Sequence, residues 1–469
     1  MRFISKLTRN ISVLFLATGF LVACSDDDDT VAPTQPPVGN SIEDFVEDNA
    51  DYSTLDLALE ITGLDETLDQ NGTFTVFAPN NDAFSAFLLE NGFENLNAIP
   101  TETLKRYLLN HVLGSELNSG SLTSGYVSTL ATKEGTDANL SLLVDTDNGV
   151  MLNGFSTVTT ADIETDNGII HAVDKVIPLP TLATFAANDS NLSTLLTALT
   201  DENNTTDFVG VAANTATDLT VFAPTNAAFE SFLTEAGIGL GDVSGAALDN
   251  LLRNHLLLNA AVMATDIENG YVKTEATFAD TSNKLSLYLN TDNGVMLNGN
   301  ATVELADIMA INGVMHKVSA VVDLPKVTTF ATADPTFEVL ETALTREEDY
   351  TFIETLSTPN GPSPAPFTVF APTNDAFADL LAELEVNDLN AIDAATLAAT
   401  LNMHVMAENN ITAEDLSNGP LTTLGGAVSI DADAGTITDA NGRTSTIIVT
   451  DVQAANGVVH AIDKVLLPE

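Results

Sequence analysis

The chain has 469 residues, 45% of them hydrophobic and 17% charged, which allows about three domains with cores of their own and argues against global disorder. Its formal net charge of −51 argues against nucleic-acid binding, because phosphates need Lys and Arg partners, and against attraction to anionic lipid head groups. A surface this acidic keeps copies apart in solution; the sharper reading, carboxylates as hard oxygen ligands for calcium, needs a ligand loop.

At the start of the chain, Arg2, Lys6 and Arg9 flank an apolar run from Ile11 to Ala23. That run is too short to span a bilayer and reads, over residues 1–23, as a leader with charged and apolar regions. It ends in Leu21, Val22, Ala23, Cys24, which looks like a bacterial lipobox, so Cys24 is the expected lipidation site. Cys24 is also the single cysteine, so no disulfide can form within the chain and the domains stand on their cores. Residues 24–40 contain Asp26 to Asp29 and Pro33, Pro36 and Pro37 and read as an extended, solvated tether. An acidic run behind a lipidated Cys is also similar to the surface-export signals of some Gram-negative lipoproteins. The expected location is therefore the outer membrane, on its exposed side, with the lipid on Cys24 as the membrane contact.

Beyond the tether the chain repeats itself. TFTVFAPNNDAF (Thr73 to Phe84) recurs as DLTVFAPTNAAF (Asp218 to Phe229) and PFTVFAPTNDAF (Pro366 to Phe377). NGIIHAVDKVIPLP from Asn167 recurs as NGVMHKVSAVVDLP from Asn312 and NGVVHAIDKVLLPE from Asn456. The first two repeats alone share DTDNGVMLNG and NTDNGVMLNG, from Asp145 and Asn290. The period is far longer than the ~20–50 residues of a solenoid unit and suits independent domains. The expected units are 41–180, 181–325 and 326–469, with Pro180 and Pro325 at short joints and helical-looking segments just after them. That suggests a semi-rigid rod.

Within a repeat, Thr75, Val76 and Phe77 are β-prone and the strand should stop at Pro79, which cannot extend a ladder. Asn80 or Asn81, and then Thr225 and Thr373, are candidate caps for a helix carrying Phe84, Phe87 and Leu88. The Asn-Gly pairs at 167, 312 and 456 read as hairpin turns in which both residues take positive φ. Runs such as Val458 to Ile462 read as strands. The expected fold class is α+β, with a β-sandwich and short flanking helices in each of three tandem domains.

At these residues the chain resembles the fasciclin domain family. Its two signatures are similar to the TVFAPTNDAF and NGVVHAIDKVLLP segments, and both occur in order three times, from about Ser41 to Glu469. The resemblance implies a wedge-shaped β-sandwich with helices, in proteins of adhesion, matrix binding, carbohydrate association or intercellular contact. In animal members a Tyr-His motif and Asp-Ile pairs are implicated in integrin binding. Here the residues before the middle histidines are Asn110, Asn254 and Met403. Asp162-Ile163 and Asp307-Ile308 occupy the Asp-Ile position, but the third repeat has Asp451-Val452, and Ser319-Ala320 replaces the pair Asp174-Lys175. Integrin binding is therefore not carried over.

All six histidines fall at repeat-equivalent positions: His111, His255 and His404, then His171, His316 and His460. Leu104, Tyr107, Leu108, His111 and Val112 make one apolar helical stripe, so a buried histidine bonded to backbone is expected rather than a metal ligand. No third and fourth ligand keep pace with them. No nucleophile elbow or P-loop occurs, and no cofactor is expected. Asp145, Asp147 and Gly149, like Asp431, Asp433 and Gly435, have the residue types of a calcium loop but reach no glutamate at the right distance. A tight β-turn is the preferred reading, with calcium as the alternative. The expected function is a surface adhesin contacting an extracellular polymer, such as glycan or matrix, or another surface protein. A metal-dependent hydrolase and a passive surface spacer are the alternatives.

Overall fold

A computed structural model describes residues 40–243 and 245–469. The leader, the lipobox with Cys24 and the tether up to residue 39 lie outside the described residues.

Each repeat builds the same elements. In the first, α1 (Ile42–Asp48), α2 (Ser53–Thr62) and α3 (Asp65–Leu68) precede β1 (Phe74–Pro79). Next come α4 (Asn81–Glu90), α5 (Thr101–Leu109) and β2 (Val112–Leu113). The remaining strands are β3 (Gly125–Thr132), β4 (Asn139–Asp145), β5 (Met151–Leu152), β6 (Ser156–Thr165) and β7 (Gly168–Val173). The strands hydrogen-bond in the order β2-β1-β7-β6-β5-β4-β3, and the other two repeats have sheets of the same order. All neighbours are antiparallel except β1 and β7, which run parallel. The class is α+β.

The sandwich is one sheet folded upon itself. β6 breaks register between Val158 and Thr160 and again before Ile163, as bulged strands do where a sheet bends. The two halves enclose Phe77, Leu113, Leu142, Val144, Leu152 and Val173. The opposite face of β1 and β7 presents Val76, Ala78 and Ile170 to Ile42, Leu59, Phe84 and Leu104 of the helices. Each fully buried Leu or Phe there contributes about 2–3 kcal/mol of transfer free energy.

The parallel pair brings the two repeated motifs together. Phe77 lies beside His171 in the ladder, and their rings stack at 5.6 Å. The counterparts Phe222–His316 and Phe370–His460 stack at 5.7 Å. β1 ends at Pro79, and Asn80 caps α4 by accepting the Ala83 N–H at 2.9 Å. Thr225 and Thr373 cap the corresponding helices at 3.3 Å.

The Asn-Gly pairs do turn a hairpin, but not by placing both residues at positive φ. Asn167, Asn312 and Asn456 are buried, and none has a positive φ. The Asn167 side chain accepts from the Ile42 N–H at 2.9 Å and donates to the carbonyls of Leu68 and Gln70. It therefore ties the helical layer to the sheet. The glycine is required by closeness: a Cβ on Gly168, Gly313 or Gly457 would sit 2.1, 2.0 or 2.3 Å from a carbonyl oxygen of the neighbouring parallel strand.

Candidate functional site

The apolar stripe of α5 continues beyond the helix itself. The helix stops at Leu109, and His111 follows its last turn. A helix end leaves carbonyls unpartnered, and the His111 Nδ1–H answers one by donating to Tyr107 O at 2.7 Å. Its Nε2 accepts the Ile177 N–H at 2.8 Å. His255 joins Leu251 O to Val322 N–H at 2.9 and 2.9 Å, and His404 joins Thr400 O to Leu466 N–H at 2.8 and 2.9 Å. Each ring thus ties the helix end to the chain leaving β7 or its counterpart.

The second histidine set sits inside β7. His171 Nε2–H donates to Leu117 O at 2.9 Å, and its Nδ1 accepts the Asp162 N–H at 3.2 Å. His316 and His460 do the same with Val262 and Asp307, and with Ile411 and Asp451. Asp162, Asp307 and Asp451 adopt left-handed φ of 59°, 61° and 60°. An Asp tolerates that conformation better than most side chains. Their carboxylates accept the backbone N–H of Ser119, Ala264 and Ala413 at 2.7, 2.8 and 2.7 Å. The acidic member of the Asp-Ile position is thereby bound to the loop that leads into β3 or its counterpart.

This arrangement holds backbone and leaves little chemistry available. Every ring has one nitrogen donating to a carbonyl and the other accepting an amide, so no lone pair faces outward for a metal. Burial pushes His111, His255 and His404 down to about 4, and it lowers His316 and His460 as well. Beside His404 and His255 lie small, apolar cavities of about 30 Å³ each, room for about two water molecules.

The acidic turns close on themselves through short-range hydrogen bonds. Asp145 accepts the Asp147 N–H at 2.9 Å, and Asp431 accepts the Ala434 N–H at 3.0 Å. Among the described residues, the carboxylates of Glu43, Asp44 and Asp69 lie within 4.8 Å of one another. Asp44 also belongs to the capping box of α1. Burial, then the charges of Glu47 and Asp44, push Glu43 up to about 7.

Several residues have structural roles that the sequence did not assign to them. Asn81, next to the cap, accepts the Thr54 N–H at 2.8 Å and donates to Ala50 O at 2.9 Å, pinning α2 to α4. Asn226 and Asn374 repeat this. Ser319, at the position of Asp174, accepts the Thr302 N–H at 3.0 Å just as Asp174 accepts that of Thr157 at 2.7 Å. The shared task is visible only once β6 and β7 are paired.

The chain is similar to several known proteins. The fasciclin domain matches three times, over residues 50–180, 190–325 and 337–468. Transforming growth factor-beta-induced protein ig-h3 of Oryctolagus cuniculus is 27% identical over 92% of this chain and 58% of its own length. Periostin of Homo sapiens is 26% identical over 92% of this chain and 48% of its own. The chain thus spans about half the length of these curated relatives. A fasciclin-like arabinogalactan protein of Arthroderma benhamiae is 25% identical over 55% of this chain and 60% of its own. A solved FAS1 domain pair from the insect cell adhesion molecule fasciclin I aligns over 59% of this chain and 97% of its own, at TM-score 0.40 and 17% identity. With the motifs, the sheet order and the family match repeated three times along it, the chain belongs to the fasciclin domain family.

Proposed function

We propose that the protein is a surface adhesion module that binds an extracellular polymer or another surface protein and does not turn it over. The observation that carries this reading is the commitment of all six histidines to backbone partners in three copies of one fold. The histidines, the side chains best suited to acid–base or metal chemistry near neutral pH, are engaged in holding the scaffold. Binding then falls to exposed loops, including the stretch from Pro359 to Pro366 peculiar to the third repeat, since loops on a rigid scaffold are where specificity resides. A lipid at Cys24 would fix one end to an outer membrane, and the acidic tether would lift the domains from it.

The test is an array of immobilised glycans and matrix proteins probed with residues 41–469. Retention on a defined polymer or protein, with the ligand recovered intact, is the expected outcome. Ligand cleavage would replace this reading with the hydrolase, and failure to bind any surface component would replace it with the passive spacer.

A further inference from the structure

The two junctions between domains use one geometry with different residues. At each, the β3–β4 surface of the leading domain meets the β6–β7 hairpin and first helix of the next. Ser141 accepts the Met309 N–H at 2.9 Å, and Ser286 accepts the Gln453 N–H at 2.9 Å. The Ile311 N–H donates to Pro180 O at 2.9 Å, and the Ala455 N–H to Pro325 O at 2.6 Å. Gly154 and Gly299 lie so close to the next domain that a Cβ would meet Asn188 or Ala333 at 2.0 or 3.1 Å.

At the centre of each junction sits a buried carboxylate of the following domain, Asp189 or Asp334. A buried carboxylate needs hydrogen-bond or charge partners. Tyr126 donates to Asp189 at 2.7 Å, and Tyr271 to Asp334 at 2.8 Å. Beyond that shared bond the answers differ. Asp189 is ion-paired with Lys317, whose ammonium also lies 5.1 Å from the Tyr126 ring centre. The position of Lys317 is Ala461 in the third domain, so Asp334 has no such cation. Instead Tyr288 stands where the first domain has Leu143, its ring 5.0 Å from that of Tyr271. Burial, then the nearby charge of Asp334, push the Tyr288 phenol up to about 12.

We propose that these are keyed docking surfaces: Leu143 with Lys317 forms one matched set, and Tyr288 with Ala461 forms the other. The first domain's face then fits the second domain, and the second domain's face fits the third. A mismatched pairing of the first face with the third domain would set Leu143 where Tyr288 lies, leaving Asp334 with neither the second phenol nor a cation near it. The corresponding face of the third domain and the leading face of the first differ from both junctions at the contact residues. On the third domain, Pro420, Ala427 and Ser429 stand at the positions of Tyr126, Ser141 and Leu143. On the first domain, Asn49 and the exposed Glu164 stand where the others have the buried Asp and Met309 or Gln453. The shared DTDNGVMLNG and NTDNGVMLNG stretches contain the glycines of close approach, Gly154 and Gly299. The preferred partner of each docking face is thus one particular neighbour in the same chain, not a second copy.

The test is amide hydrogen exchange on the three-domain protein. Lys317→Ala places at 317 the residue that the fold already carries at 172 and 461, so the second domain should fold. The Met309 and Ile311 amides should exchange at least about tenfold faster, as expected for loss of one buried charge-assisted bond, while Gln453 stays unchanged. Adding Leu143→Tyr should restore protection at Met309 and Ile311. Unchanged exchange in Lys317→Ala, or no recovery with Leu143→Tyr, overturns the proposal. So does a loss of protection throughout the core of the second domain, which would make Lys317 a residue of the domain and not of the junction.

Discussion

His111, His255 and His404 each carry a pH dependence with a defined sign. An unfolded histidine titrates near 6.5, and burial lowers these three to about 4 in the folded protein. Between those values the unfolded chain binds more protons, so stability rises with pH across that window. The contribution is fully present above pH 6.5 and lost as pH falls through 4, at roughly 3 kcal/mol for each domain. Urea unfolding should therefore show a lower midpoint at pH 5 than at pH 7, and His404→Gln should flatten that slope for the third-domain transition. A second prediction concerns removal of the ring. His404→Ala leaves the Thr400 carbonyl and the Leu466 amide without their partner, plus a cavity. The expected loss is about 1–3 kcal/mol in the third domain, and a chelator should leave the wild-type melting temperature unchanged.

The decisive element is the parallel β1–β7 pair, which joins motifs separated by most of a repeat. Its tightest point is the glycine opening β7. Gly313 combines a φ of +144° with a Cβ position 2.0 Å from Leu219 O, so Gly313→Ala must move a strand. Gly237, at the end of a helix, has φ +66° but open space around it. Gly313→Ala should cost at least about 2 kcal/mol, and Gly237→Ala only about 1 kcal/mol. Thermal unfolding of the two variants checks the contrast; equal losses would mean that φ alone, and not the close approach, demands glycine at 313.

Across the whole molecule, three domains in series favour weak contacts made together. Tethering makes later binding events intramolecular. The three-domain protein should bind an immobilised surface ligand about a hundredfold more tightly than 41–180, 181–325 or 326–469 alone, as surface plasmon resonance would show. Equal affinities would confine binding to one domain. Among the described residues no helix is long and apolar enough to cross a membrane. In the proposed function the lipid is the anchor, so Cys24→Ser should abolish lipid labelling and release the protein from the membrane fraction.

The sequence by itself determined the number of repeats, the α+β class, the end of β1 at Pro79, the caps at Thr225 and Thr373, and a cap at Asn80 or Asn81. These rest on local chemistry: a missing N–H, a side chain reaching three residues along, a motif that recurs. The buried histidine stripe was legible for the same reason, although the helix stops short of His111. Only the tertiary structure decided what Asn167 and Gly168 do, because their partners, Ile42, Leu68 and Phe74, lie on other elements. The same holds for Asp162, whose left-handed backbone and bound carboxylate depend on His171 and Ser119. Tyr126, Leu143, Asp189 and Lys317 are ordinary residues in any local window. They become a matched set only when one domain is laid against the next, and a buried carboxylate must then find its partner across the gap.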